Sequence, residues 1–140
     1  MENVHASSVE LDGKAVLIKG ASGSGKSTLA LKLIMLGANL IADDQTVIFK
    51  KKRRVFLRAP DSLPHGLEIR RVGIVNAPSC MEAELKLVID LSQCENKRLP
   101  NQLGRNINIF GYTFPFYCFQ GIVEPANSIY ALLKFGIAKL

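Results

Sequence analysis

Little in this chain suits a stapled, membrane-spanning or disordered protein. Its 140 residues include only three cysteines. Cys80, Cys94 and Cys118 are widely spaced, odd in number and without a CxxC pair, so neither a disulfide framework nor a zinc site fits them. Reduced, mostly buried thiols in a cytoplasmic protein are expected instead. No stretch reaches the roughly 18 continuous apolar residues that a membrane helix needs. Met1 to Gly13 carries acids, a histidine and serines rather than a basic segment followed by an apolar one, and reads without a signal peptide. Internal repeats, low-complexity tracts and linkers are also missing, so residues 1–140 are expected to form one domain.

What is present is a globular composition. Apolar residues make up 48% of the chain and charged ones 21%, enough for a core and against general disorder. The formal net charge of +6 suits an anionic ligand or partner without naming it.

Patterning gives a coarse order of elements. Ala15 to Ile18 is a short apolar run ending near a glycine and reads as a buried strand. Thr28 to Leu36 places Leu29, Leu33 and Leu36 on one helical face, and Gly37 and Asn39 end the helix. Leu40 to Ala42 is a second strand, which completes a βαβ unit with an expected right-handed parallel connection. Thr46 to Phe49 and Val55 to Leu57 flank the basic run Lys50 to Arg54, predicting a hairpin with a charged tip. Leu67 to Val75 is read as strand or loop, Leu85 to Ile89 as a strand, and Ile107 to Phe110 and Thr113 to Phe119 as late β segments. Ile129 to Phe135 fits a short terminal helix.

The most specific local signal is Gly20-Ala21-Ser22-Gly23-Ser24-Gly25-Lys26-Ser27. It fits the phosphate-binding P-loop pattern G-x-x-x-x-G-K-[ST] in full, with an apolar strand before it and a helix after it. Glycines let successive backbone N–H groups turn inward around phosphate oxygens, and the helix start adds free N–H groups and partial positive charge. Lys26 is expected to reach the outer phosphates, and the Ser27 hydroxyl to ligate Mg²⁺.

A phosphate cradle does not name a reaction; acids are needed for metal and proton. Asp90 follows the run Lys86 to Ile89 and offers one strand-end carboxylate. Asp43-Asp44 follows Leu40 to Ala42 and offers two. Both places lie where open α/β sheets hold ligands. Adjacent carboxylates beside a metal can divide roles, one holding metal or water and one handling a proton, so the pair has the better chemical case. Turn capping is the plainer reading of the pair, and an ordinary strand-end acid that of Asp90.

His5, the P-loop Gly20 to Ser27, Leu40-Ile41-Ala42-Asp43-Asp44, and Leu67-Glu68-Ile69-Arg70 with Gly73-Ile74 follow one another in order. From His5 to about Leu99 this pattern resembles the catalytic domain of the HPr kinase/phosphorylase family, in a short form without the usual N-terminal domain. The resemblance implies an α/β P-loop kinase core with a mixed β-sheet and flanking helices. It implies a bacterial cytoplasmic protein serine kinase that uses ATP and Mg²⁺ to phosphorylate HPr or an HPr-like phosphocarrier protein of the phosphotransferase system, which regulates carbohydrate metabolism. Family members also reverse the reaction with inorganic phosphate, and typically form hexamers. Carried onto this chain, Lys26 holds phosphate, Ser27 and Glu68 associate with metal, and Asp43-Asp44 is the acid/base pair, with Asp44 favoured for the proton. His5 matches the active-site histidine, and Arg98 an arginine that steadies phosphate. Beside these stand plainer readings: a salt bridge of Glu68 with Arg70 or Arg71, a surface histidine, and a solvated Arg98.

Two departures stand out. Arg71 occupies a position where the family usually has glycine, a place where a side chain restricts the backbone if φ is positive. Pro115 to Gln120 lacks the arginines of the family segment tied to dephosphorylation. These motivate a second hypothesis, a nucleotide-binding regulatory module without turnover. A P-loop small-molecule kinase is the enzymatic alternative. The basic run Lys50 to Arg54 contains no aromatic residue, so a nucleic-acid stacking surface is not indicated.

Overall fold

A run that is apolar at every position suits a strand covered on both faces. The computed structural model describes residues 1–62, 66–93 and 105–138, and places Ala15 to Ile18 in β3 (Lys14–Lys19). Successive side chains leave a strand on opposite faces. Val16 and Ile18 accordingly enter one core cluster, Ala15 and Leu17 the other.

Before β3 come β1 (Glu2–Val4) and β2 (Ala6–Leu11). After it come α1 (Lys26–Met35), β4 (Asn39–Ala42), β5 (Thr46–Lys51), β6 (Arg54–Arg58), β7 (Leu67–Ile69), β8 (Gly73–Val75) and β9 (Glu82–Asp90). The chain continues with β10 (Asn106–Ile109), β11 (Tyr112–Cys118) and α2 (Pro125–Phe135). Among the described residues the main sheet has nine strands, in the order β1-β5-β6-β9-β3-β2-β4 with β11 joining β9 and β10 joining β11. β9 runs parallel to β3 and β11, whereas β6 pairs antiparallel with the start of β9. The fold is thus α/β with a mixed sheet, as expected.

Three features differ from the sequence reading. The βαβ unit is there, but β2 lies between β3 and β4 and is antiparallel to both. The flanking helices share one face: Leu29, Ala30 and Leu33 of α1 and Ala126, Ile129 and Leu133 of α2 enter the same cluster. On the other face Ile48, Val55 and Leu57 from β5 and β6 fill the second cluster, with Phe114 and Phe116 of β11 packed against it. Finally, the basic hairpin has a tip of only Lys52-Arg53, because Lys51 and Arg54 are paired strand residues. Lys52 and Arg53 both take positive φ, 52° and 62°, the backbone of a two-residue hairpin turn that matches strand twist. Glu82 and Glu84 of β9 answer the cations Lys51 and Arg54. That ladder accounts for much of the charge run.

A single extra residue keeps the central strands in phase. Ala15 pairs with Leu85, but Val16 pairs with Leu87, leaving Lys86 as a bulge in β9. The pairs Ala15/Leu85 and Leu17/Val88 therefore share one cluster, and Val16/Leu87 and Ile18/Ile89 share the other. Lys86 itself is exposed. Without the bulge a one-residue slip would send every later side chain of β9 to the wrong face.

Candidate phosphate-binding and carboxylate site

The site gathers at the ends of β3, β4 and β9. β3 ends at Lys19 and the chain turns through Gly20 to Gly25 into α1. Gly20 has φ 154°, and a Cβ there would stand 2.4 Å from Ser24 Oγ, so the loop closes on itself only with glycine. Among the described residues α1 starts without a side-chain cap, and its first turn holds no acidic residue. Leu29 is the first amide to bond back, to the Gly25 carbonyl at 2.9 Å. The amides of Lys26, Ser27 and Thr28 lack backbone acceptors among the described residues. Ser24 Oγ is also buried there without a partner. Free amides, an uncapped helix start and a positive dipole end make a site for an anion. Lys26 is 6% exposed and its ammonium donates to the carbonyls of Gly20 at 2.9 Å and Ala21 at 3.2 Å, folded against the loop it belongs to.

Asp43 faces this loop. Its Oδ1 accepts from Ser27 Oγ at 2.7 Å and from Ser7 Oγ at 2.9 Å, and its Oδ2 accepts from the Glu68 amide at 3.2 Å. Asp44 turns the other way. Its backbone sits at φ 69°, in the left-handed region that aspartate tolerates better than most residues. Its Oδ1 lies 2.7 Å from His5 Nε2, and both side chains are well exposed, 67% for Asp44 and 49% for His5. One backbone reversal thus divides two neighbouring carboxylates between the P-loop and the solvent side. Asn3 and Gln45 join their amides beside the latter, at 3.1 Å.

The other predicted residues fall out as follows. Gly20 to Ser27, His5, Asp43 and Asp44 are brought together. Glu68 is adjacent through its amide, while its carboxylate is exposed, and no salt bridge to Arg70 or Arg71 forms among the described residues. Arg98 and Cys94 lie outside the described residues. Asp90 is 7% exposed and accepts from the Ser92 amide at 2.8 Å and the Gln93 side chain at 2.9 Å. Sequence reasoning missed Ser7 and also Ser92, whose hydroxyl accepts from the Ala21 amide at 2.7 Å and ties β9 to the P-loop. It also left open the backbone at Arg71, which takes φ 68°, the conformation that the usual glycine would favour.

Sheet order, glycine loop and uncapped helix together define a P-loop domain with a kinase-like α/β core. Comparison with known proteins narrows the class. Residues 1–115 match the model of the HPr Serine kinase C-terminal domain. The chain is 38% identical over 110 residues to the HPr kinase/phosphorylase of Lactobacillus acidophilus, covering 73% of this chain and 34% of that one. It is 31% identical over 153 aligned positions to the HPr kinase/phosphorylase of Halalkalibacterium halodurans, covering 96% and 49%. The solved structure of the Hpr(Ser) kinase/phosphatase from Coxiella burnetii superposes with a TM-score of 0.80 at 25% identity, covering 96% of this chain and 89% of that one. This chain belongs to the HPr serine kinase C-terminal domain family. It spans less than half the length of the two HPr kinase/phosphorylase relatives named here. Among the described residues no helix is long and apolar enough to cross a membrane.

Proposed function

We propose that the chain is an ATP- and Mg²⁺-dependent kinase that phosphorylates a serine of HPr or an HPr-like phosphocarrier protein. The observation that carries this reading is the opposed pair: Asp43 bonded to Ser27 of the P-loop, Asp44 bonded to His5 on the open side.

The residues fit a nucleotide and a divalent ion. Among the described residues the loop offers amides without backbone acceptors and a buried, unpartnered Ser24 hydroxyl, and Ser27 and Asp43 present adjacent oxygens. Among the described residues no group of three or more His, Cys, Asp or Glu side chains forms a metal cage. That agrees with Mg²⁺, which takes one or two protein oxygens and completes its shell with phosphates and water. When bound, Mg²⁺ supplies neutralisation of charge on the phosphates.

The chain's own groups do the rest. Lys26 leaves the Gly20 and Ala21 carbonyls for phosphate oxygens. Ser27 keeps its proton on Asp43, so its lone pairs are available to metal. Asp44 accepts the proton of the acceptor serine as that oxygen bonds to the γ-phosphorus and the bond to the β–γ bridging oxygen breaks, releasing ADP. His5, in hydrogen-bond contact with Asp44, orients its carboxylate. Glu68, whose amide bonds to Asp43, and Arg98 are assigned to metal and phosphate by family pattern alone.

The test is mass-spectrometric detection of phosphoserine on HPr-family proteins incubated with the chain and Mg-ATP. Transfer is expected from the wild type and not from the Asp43→Asn/Asp44→Asn variant. ATP binding without transfer to any of them would favour a regulatory module instead.

A further inference from the structure

Strand positions inside a sheet are normally apolar, yet β2 places Ser7 and Ser8 side by side with both fully buried. Their neighbours Ala6 and Val9 are buried too. A buried hydroxyl is costly unless it finds partners. Adjacent strand residues point to opposite faces, and the two serines find different partners accordingly. Ser8 Oγ meets Thr46 Oγ1 at 3.0 Å, and Thr46 in turn donates to the Ala6 carbonyl at 2.9 Å. That hydroxyl pair ties β2 to β5 and touches neither carboxylate.

Ser7 is on the side of the P-loop helix. It pairs across the sheet with Ile18, whose side chain enters the helix-facing core. Its hydroxyl has one proton and accepting lone pairs, and both capacities are used on the same corner. It donates to Asp43 Oδ1 at 2.9 Å and accepts from the Asp44 amide at 3.2 Å. Asp44 is the residue that takes positive φ. One side chain therefore fixes the carboxylate that faces Ser27 and holds the backbone reversal that sends the next carboxylate to His5.

We infer that Ser7 is a positioning residue of the metal–nucleotide site: it sets the Asp43 carboxylate for the ion beside Ser27 and locks the Asp43-Asp44 corner. Two fixed donors, Ser7 and the Glu68 amide, hold Asp43 so that its position does not depend on Ser27 alone. The inference rests on the P-loop reading of the site but not on the identity of the acceptor protein. Removing an outer partner of a metal-associated ligand typically lowers metal affinity about 10- to 100-fold.

The experiment measures Mn²⁺ binding by electron paramagnetic resonance in the presence of a non-hydrolysable ATP analogue, and binding of the same analogue in EDTA by calorimetry. The variants are Ser7→Ala, Ser7→Thr and Ser8→Ala. Ser8→Ala makes the same atomic change at an equally buried neighbour on the opposite face. Ser7→Ala is expected to weaken Mn²⁺ by about 10- to 100-fold while metal-free analogue binding stays within about twofold. Ser7→Thr, which keeps the hydroxyl, is expected to restore most of the affinity, and Ser8→Ala to leave it unchanged. If Ser7→Ala fails to fold, Ser7→Cys, a weak donor of similar size, should show a smaller loss of the same kind. Wild-type affinity in the folded variant lacking the hydroxyl, or an equal loss in Ser8→Ala, overturns the inference and leaves the P-loop reading standing. Failure of the wild type to bind Mn²⁺ with the analogue overturns both.

Discussion

Arg71 carries a cost that the protein does not need for folding. It is the third residue of the turn closed by the Val72 amide on the Ile69 carbonyl at 2.9 Å, between β7 and β8, and its φ is 68°. A residue with a Cβ held in the left-handed region costs roughly 1–2 kcal/mol. Arg71 is exposed and forms no ion pair among the described residues, so its side chain returns little of that cost. Arg71→Gly removes the strain but frees the unfolded chain, which takes back about 0.4–1 kcal/mol. The expected net gain is about 0.5–1 kcal/mol. With an unfolding entropy of about 2.1 cal/mol/K per residue, that raises Tm by roughly 2–3 °C in a chain of 140 residues. Arg71→Ala retains the Cβ and should show no such gain. Circular-dichroism melts and urea titrations of the three proteins decide the matter. A glycine variant no more stable than the alanine variant would refute the argument from backbone strain.

Two other outcomes follow from the fold. Deleting Lys86 removes the bulge that puts Leu87 opposite Val16, so the deletion variant is expected to lose its cooperative unfolding transition in calorimetry, whereas Lys86→Ala, which keeps the extra residue, should retain it. Burial, then the charge of Glu10, pushes the Cys80 thiol above its ordinary pKa, and its S–H donates to the Glu82 carbonyl at 3.2 Å. The folded state therefore holds that proton more tightly than the unfolded chain. The stabilisation is complete below the unfolded thiol's pKa and is lost as pH rises through the folded value. Iodoacetamide labelling of Cys80, followed site by site by mass spectrometry, should have its pH midpoint above that of the urea-unfolded protein; an equal or lower midpoint contradicts this.

The parts of the site that are local in sequence were legible in it. Gly20 to Ser27 declares itself because the cradle needs glycines, a lysine and a hydroxyl at fixed spacing, and α1 follows from Leu29 and Leu33 on one face. The Asp43-Asp44 pair was found as a pair, but the division between its members depends on φ at Asp44, which no side-chain pattern encodes. β1 and β2 escaped notice because Ser7, Ser8 and Glu10 break the apolar run that marks a strand. A signal was nevertheless present: Asp12-Gly13 is a strong hairpin turn, both residues take positive φ, and the turn joins Leu11 to Lys14. Read that way, it would have placed a strand before β3 and with it the buried hydroxyls. The Lys86 bulge was hidden for a different reason, since Leu85, Leu87, Val88 and Ile89 look like one continuous buried strand whichever face each occupies.

The central claim is the division of labour between neighbouring carboxylates, and separate Asp43→Asn and Asp44→Asn variants test it most directly. Each is assayed for Mg²⁺-dependent binding of a non-hydrolysable ATP analogue and for phosphoserine formation on an HPr-family protein. Asp43→Asn is expected to lose the metal-dependent part of binding, and transfer with it. Asp44→Asn is expected to bind as the wild type does and to transfer about 10²- to 10⁴-fold more slowly, the range for loss of a general base. Full transfer by Asp44→Asn, or loss of metal-dependent binding in Asp44→Asn rather than Asp43→Asn, would contradict the account.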